Sequence, residues 1–166
     1  MSWLDIVIVL AIGWFTFSAY NAGFIREIVI LVATILAVVI AGLYYDNLAK
    51  DVLVFIENET SARVISFLVL LASVFLMGQL AATLLKKTAA LLMLGWADHL
   101  AGAVFGFLKG MIIVEVLLIL FVTYPELGLE DAIADSALAQ VFLDSLPVLL
   151  AILPDEFERA VEDFVF

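Results

Sequence analysis

Asp98-His99-Leu100-Ala101-Gly102-Ala103-Val104-Phe105-Gly106-Phe107-Leu108-Lys109-Gly110 opens a long apolar run and sets glycines at 102, 106 and 110. At 3.6 residues per turn, a residue four positions on is displaced by only about 40° around a helix axis. All three glycines therefore fall on one face. That face carries no side chains, a glycine zipper of the kind that lets a second helix come to backbone contact in a bilayer. Asp98 stands at its entrance and Lys109 beside its last glycine. Charged residues are rare within a span and face protein or water where they occur. The stretch reads as one packed helix of an all-α, polytopic membrane protein.

Composition points the same way. Of the 166 residues, 66% are apolar and the mean hydropathy is +1.24, whereas soluble domains are nearer about half apolar. A core of this size cannot hide so much apolar surface from water. With no cysteine in the chain, disulfides, thiolate metal sites and a cysteine nucleophile are excluded. The net charge of −11 is unevenly placed, because ten of the 18 acidic residues lie from Glu126 onward against a single basic residue, Arg159. Such a tail repels nucleic-acid phosphates and anionic lipid; it reads as a solvated face.

Hydropathy predicts four spans, each near the roughly 20 residues that a bilayer requires. The first covers residues 3–22 with one charge, Asp5. It lacks a basic n-region and a small-residue cleavage site and so reads as a retained signal anchor. Asn21-Ala22-Gly23 forms a tight turn in which Gly23 supplies backbone freedom. Arg26 and Glu27 then open a second run over 28–45. The connection is short, so these two helices are expected to be antiparallel neighbours. Tyr44 and Tyr45 are expected to mark the far interface. Residues 46–62 are polar, with apolar positions at helical spacing that suit a short helix on the membrane surface. The third run, 64–85, carries no charge and ends at Lys86-Lys87. A link over 88–97 leads to Asp98, a suitable N-cap for a fourth helix over 100–124, which Pro125 stops. The organisation is a four-helix transmembrane domain, 1–124, and an acidic tail, 125–166, of two short amphipathic helices resting on membrane or bundle.

The loops on the side of Gly23 and Lys86 hold three basic residues, Arg26, Lys86 and Lys87, against Lys50 and Arg63 opposite. The positive-inside rule then puts both termini outside the cytoplasm.

Gly23-Phe24-Ile25-Arg26-Glu27 and Asp98 through Gly110 resemble the two signature blocks of the colicin V production protein family. One is a Gly-aromatic-aliphatic-Arg-Glu opening to helix two. The other is an Asp-Arg start to helix four, followed by three glycines with a basic residue before the last. The family usually has arginine after the aspartate, where this chain has His99. The resemblance covers residues 1–124. It implies a bacterial inner-membrane protein with a part in toxin (bacteriocin) production or export and in envelope homeostasis. The alternative class is a small homo-oligomeric channel or transporter subunit. The expected partners of the chain are the lipid bilayer and other membrane proteins or itself; no nucleic acid and no cofactor are expected.

The candidate site residues are the packing glycines Gly102, Gly106 and Gly110, the turn glycine Gly23, and a charge cluster of Arg26, Glu27, Asp98, Lys109 and Glu115. The glycine face suits packing within the chain or between copies. Lys109 either snorkels back to the interface or pairs with a carboxylate. Glu115, six residues on, is about 240° around the same helix, so a buried and ionised Glu115 is expected to take its partner from another helix. Arg26 and Glu27 serve as interfacial anchors, or Arg26 pairs with Asp98. His99 and Asp98 alone supply too few ligands for a metal. No serine-histidine-acid spacing and no phosphate loop is present, so no enzymatic activity is expected.

Overall fold

The structure is a computed structural model that describes residues 2–51, 56, 58–89, 95–145 and 153–165. Parts of the expected surface helix at 46–62, of the link at 88–97 and of the tail around Pro147, Leu149 and Leu150 lie outside the described residues. Among those described, the regular structure is helical: α1 Trp3–Ala22, α2 Phe24–Asp51, α3 Glu59–Ala89, α4 Trp96–Thr123, α5 Glu130–Ala134, α6 Ala137–Ser145 and α7 Asp155–Val165, with a 3-10 turn at Pro125–Leu127. The first four are each long and apolar enough to cross a membrane.

Local chemistry sets the helix ends. Ser2 caps α1, its Oγ accepting from the Leu4 N–H at 3.1 Å while Asp5 Oδ2 accepts from the Ser2 N–H at 2.7 Å, a reciprocal capping box. Asn58 Oδ1 accepts from the Ser61 N–H at 3.1 Å where α3 begins. α2 continues to Asp51, past the end expected at Tyr45. Its extra turns carry the Lys50–Asp46 pair at 2.6 Å, four residues apart, a spacing that supports a helix. Tyr44 is exposed, but Tyr45 is buried and belongs to the core rather than to an interface.

Helix order in space differs from order in sequence. α1 packs along α4, α4 on α2, and α2 on α3, so α1 and α2 meet in few places although one residue joins them. The expectation that they pack side by side is corrected. A short connection brings two helix ends together, but the stripe without side chains on α4 offers α1 a closer contact than α2 does. The two outer helices are consequently the lipid-facing ones: the α1 and α3 spans are 17% buried, against 39% for α2 and 50% for α4.

A second close contact joins α2 to α3. Ala33, Ala37 and Ala41, at four-residue spacing, are all buried. A Cβ on Gly78 would clash with the Ala33 Cβ and lie 3.6 Å from its Cα. The alanine spacing in α2 is the sequence signal for this seam.

The tail folds back under the far end of the helices, and its described residues form three helices where two were expected. Asp5 ties it to α1: Oδ1 accepts from Ser136 Oγ at 2.6 Å and from the Leu138 N–H at 3.1 Å. Phe157 of α7 is 1% exposed, its ring 5.6 Å from Tyr45, 5.8 Å from Phe67 and 6.3 Å from Tyr124. These rings bring α2, α3 and the end of α4 to one point, and the described acids of the tail from Glu126 to Asp144 face outward. Ile133, Phe142, Leu153 and Val161 share one core with the spanning helices.

Truncating a buried phenylalanine typically costs about 3–5 kcal/mol. Phe157→Ala should lower the melting temperature in detergent and make the tail cleavable by protease while the spans stay protected. An unchanged melting curve with an equally protected tail would mean that α7 does not hold the bundle together.

Candidate functional site: a polar junction of α1, α2 and α4

The turn between α1 and α2 is built around Gly23, whose φ of +88° is a conformation that side chains disfavour. Its N–H donates to Ala19 O at 3.0 Å. The space a Cβ would need is taken by the Asp98 carboxylate. Asp98 Oδ1 in turn accepts from the Phe24 N–H at 3.1 Å. Asp98 therefore does not cap its own helix, as its sequence position suggests. α4 begins earlier, at Trp96, with Gly95 in the cap position and no side-chain cap bond. Asp98 instead places its charge on the N-terminus of α2, where the helix dipole favours an anion.

His99 serves the opposite end of the same turn. Its Nδ1 lies 2.6 Å from Tyr20 O and its ring 5.2 Å from the Tyr20 ring. With the proton on Nδ1, the imidazole donates to one of the last carbonyls of α1, which lack a partner within the helix. Adjacent residues of α4 thus satisfy an N–H of one neighbouring helix and a C=O of another.

The glycine stripe faces α1 of the same chain. A Cβ on Gly102 would lie 2.7 Å from Ala19 O and 3.1 Å from the Gly23 carbonyl carbon. On Gly106 it would meet the Ala19 Cβ and lie 2.8 Å from Phe15 O; on Gly110 it would lie 3.1 Å from Phe15 Cβ. Phe24 and Phe105 close the α2 side with an edge-to-face contact at 5.2 Å.

Two charges meet inside this packing. Lys109 Nζ and Glu27 Oε2 are 2.5 Å apart, with side chains 4% and 2% exposed. Helical side chains lean toward the N-terminus, so the lysine reaches back along α4 to the first turn of α2. Its Nζ also lies 5.5 Å from the centre of the Phe15 ring, within cation–π range. Glu115 is not part of this pair. It is 1% exposed, and its Oε2 has no hydrogen-bond partner among the described residues.

The expected Arg26–Asp98 pair does not form. Arg26 Nη2 donates instead to Gln79 Oε1 of α3 at 2.9 Å. Consecutive helical residues point about 100° apart, so once Glu27 faces α4, Arg26 is turned toward α3. Sequence reasoning did not single out Gln79, Phe15 or Asp5. Gln79 carried a usable signal as the only amide side chain in the run 64–85.

Gly23, Phe24, Glu27, Asp98, Gly102 and Lys109 are remote in sequence and contiguous here. The sequence profile described as colicin V production protein matches residues 4–147. The chain belongs to the colicin V production protein family. A Bacillus subtilis relative, named uncharacterized transmembrane protein YshB, is 25% identical over 92% of this chain and 96% of its own length. A Haemophilus influenzae relative, named colicin V production protein homolog, is 27% identical over 84% and 85%. No solved structure matches the chain. In this member of the colicin V production family, the two blocks that carry the resemblance form one junction.

Removing one partner of a buried ion pair typically costs about 3–5 kcal/mol, whereas an apolar replacement of both is often near neutral. Lys109→Met and Glu27→Leu should each lower thermal stability in detergent by that order, and the double variant should recover most of the loss. Additive losses would show that the two charges act separately. Gly106→Leu should destabilise by about 1–3 kcal/mol through overpacking against α1; a wild-type melting temperature would place that glycine off the interface.

Proposed function

We propose that this chain is a non-catalytic protein of the bacterial inner membrane that supports toxin (bacteriocin) production or export and envelope homeostasis by engaging other membrane proteins. Family membership supports the process, and this family is not a known enzyme family. One observation carries the scaffold reading: Glu27, Asp98, Lys109 and the glycines of the signature blocks are engaged in holding α1, α2 and α4 together. The outer faces of α1 and α3 remain for lipid and partners. Both termini lie in the periplasm, on the reading that Arg26, Lys86 and Lys87 flank the cytoplasmic side.

A homo-oligomeric channel or transporter subunit is the second reading. Glu115 favours it, because a buried carboxylate in a membrane span is costly and commonly marks an ion or substrate path.

A periplasm-active reporter fused after Phe166 should be active and a cytoplasm-active one silent; the reverse pattern reassigns every loop. Cells lacking the chain should export less bacteriocin and become detergent-sensitive, and Lys109→Met should fail to restore either property. Solute flux in liposomes holding the purified chain alone, abolished by Glu115→Gln, would replace the scaffold reading with the channel.

A further inference from the structure

Arg26 is the cation of the signature blocks that the junction does not neutralise. Its neighbour Glu27 is spent on Lys109, and Asp98 is spent on the Phe24 N–H. Among the described residues Arg26 makes a hydrogen bond to the neutral Gln79 amide and no ion pair. Its Nε is shut away from solvent without an acceptor. A guanidinium in the first turn of a membrane-spanning helix, with its Nε buried, favours an anion beside it. Among the described residues no carboxylate pairs with it.

Arg26 lines a cavity of about 340 Å³ with Trp14, Phe17, Ser18, Asn21 and Ala22. The cavity lies where α1 and α2 diverge from Gly23. Its lining divides chemically. Ser18, Asn21 and Arg26 supply hydrogen-bonding groups with no carboxylate among them. Trp14 and Phe17 supply an apolar wall and are 70% and 67% exposed to the surroundings of α1. Leu10, 66% exposed, continues that wall one turn deeper at helical spacing.

The geometry points to a binding site for the phosphodiester of an anionic phospholipid, seated on Arg26 with Ser18 and Asn21, its acyl chain lying along Phe17, Trp14 and Leu10. Arginine matches phosphate in charge and in the fork of its donors. The apolar wall continuous with the cavity selects a lipid over free phosphate, which has nothing to place there. The site does not depend on the proposed function or on the orientation of the chain.

The test uses the full chain purified in detergent, with native mass spectrometry after addition of equal phosphatidylglycerol and phosphatidylcholine. The wild type should retain phosphatidylglycerol in preference. Arg26→Gln should lower that retention about tenfold, the scale of one charge-assisted hydrogen bond. Gln79→Glu keeps Arg26 but gives it an internal counter-charge; it should lower retention similarly while melting at or above the wild-type temperature. If Arg26→Gln fails to fold, Gln79→Glu decides alone. Unchanged retention in Gln79→Glu, or equal retention of the two lipids by the wild type, overturns the proposal. Displacement of bound lipid by excess inorganic phosphate overturns the lipid assignment in favour of a free phosphate.

Discussion

A lysine near the middle of a membrane-spanning helix has to meet an anion, because an isolated charge in low-dielectric surroundings is too costly to leave alone. For Lys109 the anion is Glu27, and much of the architecture is consistent with that one requirement. Glu27 sits in the first turn of α2, so α2 must lie against α4 with both helices starting on the same side. With that face of α4 occupied, α1 takes the adjacent glycine face. With Glu27 turned toward α4, Arg26 is turned toward α3 and Gln79. Replacing a buried pair by apolar residues is often near neutral, while breaking it is costly. The weight of the pair therefore lies in the arrangements it rules out.

Asp98 and His99 complete the junction by treating the α1–α2 turn as two helix ends. The anion meets the free Phe24 N–H and the imidazole meets the Tyr20 carbonyl, each in the sense the helix dipole favours. The contact with Tyr20 O requires a donor, which Nδ1–H supplies.

The opposite end is closed by different chemistry. There Asp5 holds the start of α6 through Ser136 and the Leu138 N–H, and Phe157 gathers rings from α2, α3 and the end of α4. Apolar residues of the tail enter the core while described acids such as Glu130, Asp144, Glu158 and Glu162 stay exposed. The tail's negative charge is thus a solvated surface over a packed underside. Locking at both ends leaves the outer sides of α1 and α3 as the least buried parts of the spans.

The sequence by itself determined that the chain crosses a membrane four times, that the 102–110 stretch has a bare face, that Gly23 turns the chain, and that Pro125 ends the fourth span. Each follows from hydropathy, helical periodicity or a backbone constraint, which act along one segment and need no knowledge of its neighbours. Tertiary structure alone decided that Glu27 answers Lys109 across 82 positions, that Asp98 caps α2 rather than α4, and that α4 separates α1 from α2. Those outcomes depend on how helices rotate and cross once packed. A span's composition leaves that rotation open; close packing at Gly106 and Gly78 and the need to neutralise Lys109 select it.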